Sequence, residues 1–139
     1  VATRGGLPEV ALATAAPAIG AVAVGGSVGA AARYAVDGWV SARAGGFFPW
    51  GTFVVNLTGC VLIGLFEGCA EVRGGAPPLV RLLLVVGWLG GYTTFSTLSF
   101  ETLALVRERG WRGAAANAVG SVVAGVLAVQ VGRWMGGLA

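Results

Sequence analysis

The stretch GGYTTFSTLSF, residues 90–100, decides how this chain is read. It sets Tyr92, Thr93, Thr94, Ser96, Thr97 and Ser99 inside an apolar run that reaches from Pro78 to Arg107. As one helix, that run of about 30 residues would be about 45 Å long, against a hydrocarbon core of about 30 Å. Tilt absorbs part of the excess and a break absorbs more. GWLGGYTT, residues 87–94, is the expected break. Glycine lowers helix stability, and threonine oxygens can serve backbone groups that a break frees. Such backbone is tolerated at membrane depth where it is buried in protein or lines a cavity. Its carbonyls can then hold a cation, and its N–H groups or a helix N-terminus can face an anion.

Composition makes lipid the solvent. Of 139 residues, 56% are hydrophobic and only 11% charged, with a mean hydropathy of +0.82. A soluble domain carries roughly a quarter charged residues. Four apolar segments are each long enough to cross a bilayer: Pro17–Ala42, Pro49–Val72, Pro78–Arg107 and Arg112–Gly136. Short turns at 43–46, 73–78 and 107–111 separate them and make neighbouring spans antiparallel. Trp39, Trp50, Trp111 and Trp134 fall near span ends, as interface anchors do. The expected fold is therefore an all-α membrane protein of four transmembrane helices, the third broken near its middle. Residues 17–139 form a single four-helix domain. Residues 1–16, with Arg4 and Glu9, read as a tail or short surface helix. The first apolar run exceeds a signal-peptide core and three more follow it, so it reads as a span.

Glycine spacing supports close helix packing. Gly25/Gly29, Gly64/Gly68, Gly87/Gly91 and Gly132/Gly136 each lie four apart, the spacing that lets backbones approach in lipid. GGSVGA, residues 25–30, lacks the lysine and preceding strand of a phosphate loop, so packing explains it.

Several chemistries are excluded or disfavoured. The chain has no His, and all nine basic residues are Arg. That removes histidine base catalysis and ligation, and lysine Schiff bases. Cys60 and Cys69 on one helix would sit about 13 Å apart, beyond disulfide reach. No basic stripe with interleaved aromatics points to nucleic acid. An enzyme within the membrane would need an acid dyad or a serine site, and Glu101 has no evident carboxylate partner.

Arginines divide evenly across the four expected spans. Arg4, Arg73, Arg81 and Arg133 fall on one side, and Arg43, Arg107, Arg109 and Arg112 on the other. Arg33 lies within the first span, four residues before Asp37, with which it can pair. Arginine bias normally sets orientation. The tie leaves two readings open: loose boundaries, or a chain that inserts both ways and pairs antiparallel with itself.

After the break the third span has a definite face. At 100° per residue, Thr94, Thr97 and Glu101 lie within about 60° of one another, bordered by Phe95 and Leu98. Asn56 adds an amide in the second span. Serine and threonine often bond back to their own helix or join two helices. Five such hydroxyls in seven residues, with Asn56 and Glu101, favour a conduit.

GGSVGAAARY at 25–34, GTFVVN at 51–56 and GWLGGYTTFST at 87–97 resemble the Fluc (CrcB) family of fluoride ion channels. The resemblance covers the four spans. It implies an antiparallel, dual-topology homodimer in the cell inner (plasma) membrane, with two fluoride pathways and one central structural sodium ion. Such channels let fluoride leave the cell passively. By similarity, the backbone carbonyls of Gly90 and Thr93 hold the sodium. Asn56 lines the pore, and Phe95 meets the anion with its ring edge. Ser96, Thr97 and Glu101 follow along a polar track, which Asn117 and Ser121 continue on the fourth span, with Gly125 next at that spacing. Arg33 is the family's first-span arginine, acting in the fold or the vestibule field.

One position departs from the family. Where a second Phe is usual, this chain has Leu98. The resemblance then leaves three possibilities: a slower pore, another ring such as Tyr92 or Phe100 in its place, or a heterodimer whose paralogous partner supplies the aromatic. Rival classes are an antiparallel small multidrug antiporter and a non-transporting membrane scaffold. The antiporter needs a buried acid in the first span, and Asp37 lies near that span's end.

Overall fold

The computed structural model describes residues 7–139, with side chains from residue 15 onward except Arg109. Residues 1–6, the outer part of the expected tail, lie outside the described residues. Helix α1 runs Leu7–Ala44 and α2 runs Trp50–Val72. The third span begins with α3 (Pro78–Arg81), a π-helical stretch (Leu82–Leu89) and α4 (Gly90–Tyr92). It resumes as α5 (Phe95–Arg109), and α6 spans Trp111–Gly137. Among the described residues there is no strand. Four helical segments are long and apolar enough to cross a membrane: Ala15–Ala44, Trp50–Val72, Pro78–Glu108 and Trp111–Gly137.

Two boundaries differ from expectation. Helix α1 begins ten residues before Pro17, which sits inside it. Hydropathy falls around Glu9, but Ala and Leu are good helix formers, so the helix outlasts the apolar run. The break in the third span is also narrower than residues 87–94. Backbone dihedrals stay helical through Gly90, and only Thr93 (φ −78, ψ 159) and Thr94 (φ −150, ψ 116) are extended.

The glycines instead set helix spacing. Helix α1 packs on the first half of the third span, and α2 packs on α6. At the second crossing, a Cβ on Gly132 would sit 2.9 Å from Leu65 N, and one on Gly64 2.9 Å from Arg133 N. Backbone meets backbone in both directions, so neither position has room for a side chain. Gly25 and Gly91 are in the same situation between α1 and the third span. Gly110 alone joins α5 to α6, with φ +75, a conformation that favours glycine. Much of the outer surface is apolar: Val24, Val28, Val122, Val126 and Leu127 are all exposed, as lipid contact requires. Trp39, Trp50, Trp111 and Trp134 are exposed near span ends.

Candidate functional site

The break is held open by side chains on both sides of it. In an unbroken helix, Thr94 N–H would bond the Gly90 carbonyl. Here Thr94 N–H donates to Asn56 Oδ1 at 2.8 Å, and Asn56 Nδ2 donates back to Thr94 O at 3.1 Å. Thr97 N–H would likewise bond Thr93 O, but it donates to Thr94 Oγ1 at 3.2 Å. Thr94 is thus the N-cap of α5, the position where a threonine oxygen is favoured. The near side is pinned by Tyr92, which is buried and shares a 2.9 Å hydroxyl bond with Thr58.

The break removes the i+4 helix donors of four carbonyls, those of Gly90, Gly91, Tyr92 and Thr93. The two assigned to sodium by resemblance, Gly90 and Thr93, are among them, and both residues line one cleft. Carbonyl oxygens from unwound helix are suitable donors for a small hard cation. The residues present therefore fit that ion.

The cleft encloses about 320 Å³ and gathers six of the expected site residues: Asn56, Gly90, Thr93, Phe95, Leu98 and Ser121. Phe95 is 79% exposed and Leu98 is 9% exposed. Neither Tyr92 nor Phe100 lines this cleft, so among the described residues neither ring stands in for Leu98. Tyr92 is turned to Thr58, and Phe100 is exposed elsewhere. A second cavity of about 180 Å³ lies behind the break and holds Arg33, Tyr34, Asp37, Thr52 and Thr97. Thr94 lines both cavities. Ser96, Glu101 and Asn117 line neither.

The hydroxyls of the opening stretch divide into two groups. Thr93 and Ser99 bond back to carbonyls of their own helical turn, Leu89 O and Phe95 O. Thr94, Ser96 and Thr97 bond one another. Thr94 Oγ1 donates to Thr97 Oγ1 at 3.0 Å, and Ser96 Oγ lies 3.2 Å away from it. Thr97, having accepted from Thr94, keeps its own proton for the second cavity.

Three buried polar atoms have no partner among the described residues: Glu101 Oε2, Asn117 Oδ1 and Ser121 Oγ. Leaving a polar atom buried and unpaired is costly, so each is informative. Glu101 Oε1 is served by Thr52 at 2.8 Å. Asn117 is fully buried and donates to Thr102 Oγ1 at 2.9 Å, and Thr102 donates to Leu98 O at 2.7 Å. All three orphaned atoms belong to residues expected on the polar track.

Arg33 and Asp37 do not pair. Among the described residues the ion pairs are Arg81–Glu67 and Arg133–Glu71. Asp37 instead accepts from Ser41 at 3.2 Å, and Arg33 lines the second cavity. Sequence reasoning missed Thr52, Thr58 and Thr102: Thr52 and Thr102 bond the expected track residues Glu101 and Asn117, and Thr58 bonds Tyr92 beside the break. A usable signal existed on α2. Thr52, Asn56, Gly59 and Ile63 recur at helical spacing and form one face.

A family model described as "CrcB-like protein, Camphor Resistance (CrcB)" matches residues 20–133. The chain belongs to the CrcB family. It is 44% identical over 121 residues to "Fluoride-specific ion channel FluC" of Chloroflexus aurantiacus, covering 84% of this chain and 96% of that one. It is 47% identical over 112 residues to the protein of the same name from Nitrobacter winogradskyi, covering 81% and 89%. The match to the Solibacter usitatus protein of that name is 47% over 117 residues, covering 84% and 93%. As a CrcB-family chain with four apolar spans, this is a multi-pass membrane protein. The break, the cleft and the residues expected on the polar track all fall within the matched residues.

Proposed function

We propose that this chain is a fluoride-selective ion channel of the cell's plasma membrane, through which cytoplasmic fluoride leaves passively. Hydrogen fluoride enters a cell neutral, ionises and is trapped, and a channel lets the anion escape. The observation that carries this reading is the capped break beside a cleft that gathers Asn56, Thr93, Phe95 and Ser121, where Ser121 Oγ has no partner among the described residues. The other two orphaned atoms, Glu101 Oε2 and Asn117 Oδ1, are acceptors; they mark a polar interior without themselves donating to an anion.

Fluoride is small and strongly hydrated. A pore must replace its water with closely placed N–H and O–H donors. Asn56 uses one amide proton on Thr94 and retains the other toward the cleft. Thr97 retains its hydroxyl proton, and Ser121 has no protein partner for its own. The Phe95 ring edge is weakly positive and meets an anion without the strong binding of a fixed cation. No arginine lines the cleft, so no fixed cation there slows passage.

The working unit in this reading is an antiparallel, dual-topology homodimer with two pores. Gly90 and Phe95 are exposed in the single chain and would meet the partner. The Gly90 and Thr93 carbonyls of both copies would hold one structural sodium, which fixes the two breaks against each other.

Leu98 supports a second reading. It lines the cleft where no second ring stands, so a paralogous subunit would supply the aromatic. The test is fluoride against chloride efflux from proteoliposomes of the purified chain, in sodium and in sodium-free buffer. Sodium-dependent fluoride efflux without chloride efflux supports the homodimeric channel. Silence of the pure chain, relieved only by a co-expressed partner, supports the heterodimer. Silence under both conditions, or efflux of cationic drugs instead, overturns the channel reading.

A further inference from the structure

The two ends of the bundle carry their arginines differently. At the end where α2 and α6 finish, Arg81 bonds Glu67 and Arg133 bonds Glu71, each at 2.6 Å, and Arg73 is exposed without an ion pair among the described residues. At the opposite end, built from residues 43–50 and 107–113, Arg107 and Arg112 are exposed. Neither has an ion pair or hydrogen bond among the described residues. Arg43 folds back on its own helix, with its guanidinium 4.2 Å from the Trp39 ring centre and a 3.1 Å bond to Trp39 O. Arg109 adds a further cation in sequence, and Glu108 is the acid among them.

At this same end a cavity of about 240 Å³ opens between the 43–50 connection, α5 and α6. It is lined by Phe47, Phe48, Leu105, Gly113 and Ala116, all without polar side-chain atoms. Arg112 lies one turn before Ala116 on α6, so it shares the face that lines the cavity. Phe48 is fixed by rings on α2, 4.6 Å from Trp50 and 5.6 Å from Phe53 between centroids. Trp111, 78% exposed and adjacent to Arg112, marks the level of the headgroups. An apolar cavity at that level with the unpaired Arg112 one turn from its lining suits a molecule with an apolar tail and an anionic head.

We propose that this end of the bundle is a docking site for an anionic phospholipid. One acyl chain enters the Phe47–Phe48–Leu105–Gly113–Ala116 cavity. The headgroup phosphate lies against Arg112, and Arg107 strengthens the field. At the opposite end Glu67 and Glu71 answer two of the three arginines, which leaves Arg73 as the free cation there. Charge complementarity selects the anionic lipid over a zwitterionic one of the same tails.

The experiment titrates the purified full chain with phosphatidylglycerol and phosphatidylcholine of identical acyl chains, with bound lipid counted by native mass spectrometry. The wild type is expected to retain phosphatidylglycerol preferentially. Arg112→Gln should weaken that retention roughly fivefold, and R107Q/R112Q roughly 25-fold, from the usual attraction of a surface arginine to an anionic lipid. Phosphatidylcholine retention should be unchanged in both. Ala116→Leu, which fills the cavity, should weaken retention of both lipids with the arginines intact. The arginines are exposed, so their variants keep the wild-type fold, checked by elution volume and melting temperature. Equal retention of the two lipids by the wild type overturns the proposal, as does an undiminished preference in R107Q/R112Q.

Discussion

Asn56 and Thr94 exchange two hydrogen bonds across the broken third span, 2.8 Å from Thr94 N–H to Asn56 Oδ1 and 3.1 Å from Asn56 Nδ2 to Thr94 O. One side chain thereby satisfies both backbone groups of the residue at the break. Asn56→Leu keeps the volume and removes both bonds. Each orphaned group costs roughly 1–3 kcal/mol. The freed N–H has one alternative, the Gly90 carbonyl, which would withdraw that oxygen from a cation. The expected result is a lower melting temperature in detergent that no longer rises when sodium replaces potassium. A variant as stable as wild type, with its sodium response intact, would show that the pair does not hold the break.

Thr94→Val removes the cap of α5 and the hydroxyl that orients Thr97. Loss of an N-cap side chain costs about 0.5–2 kcal/mol. Thr94→Ser retains the oxygen at the same position and should recover most of both stability and fluoride flux. Equal melting temperatures and equal flux for the Val and Ser variants would refute the capping role.

Gly132 and Gly120 lie on the same helix and should respond oppositely to alanine. A Cβ at Gly132 would sit 2.9 Å from Leu65 N and closer still to Val61 O, both backbone atoms that cannot step aside. Overpacking of that kind costs typically about 1–3 kcal/mol. A Cβ at Gly120 meets nothing within 4 Å. There alanine's better helix propensity, worth up to about 1 kcal/mol, is unopposed. Gly132→Ala should therefore lower the melting temperature while Gly120→Ala leaves it unchanged or raises it. The opposite order would mean that the α2–α6 crossing is not what these glycines serve.

What was legible in the sequence follows from period and length. The second span was expected at Pro49–Val72 and its helix is Trp50–Val72; the fourth was expected at Arg112–Gly136 and its helix is Trp111–Gly137. Glycines four apart point to backbone contact because one helical face repeats at that interval, and Gly64 meets backbone of α6 while Gly132 meets backbone of α2, as that implies. Bonds between helices were not legible. Thr52 to Glu101 and Tyr92 to Thr58 depend on how two helices rotate and slide against each other, which no local pattern encodes. Arg33 and Asp37 have the spacing of an ion pair, yet Asp37 turns to Ser41, because several partners stand one turn away on any helix. The break was placed correctly but drawn too wide. Gly87, Gly90 and Gly91 looked like its cause, whereas Gly87 and Gly91 serve packing on α1 and the Asn56–Thr94 bonds hold the break.

Leu98→Phe separates the two pore readings. Leu98 borders a cleft of about 320 Å³, so a ring has space to turn into it without displacing backbone. In a homodimeric channel slowed by the missing ring edge, this change should raise fluoride efflux from liposomes of the pure chain severalfold. In a heterodimer whose partner supplies the aromatic, the pure variant should stay silent and respond only to the co-expressed subunit.

Asn117→Leu distinguishes an ion pathway from interhelical glue. Asn117 is fully buried, its amide donates to Thr102 Oγ1, and its Oδ1 has no partner among the described residues. Leucine has the same heavy-atom count and branching and brings no polar atom to satisfy. Thr102 is not orphaned by the change, because its hydroxyl still donates to Leu98 O at 2.7 Å. The change removes the unpaired Oδ1 together with one bond to Thr102, and a hydroxyl that still keeps its own bond costs less than the ~1–3 kcal/mol of a fully orphaned group, so gain and loss largely offset. If Asn117 were glue between α5 and α6, the variant should melt at a lower temperature and flux should fall only in step with folded protein. If it belongs to the polar track, melting temperature should hold or rise while fluoride efflux drops at least tenfold, roughly 1.4 kcal/mol on the barrier. The two measurements must therefore move apart for the pathway reading to stand, and an unchanged efflux with an unchanged melting temperature would remove Asn117 from the track altogether.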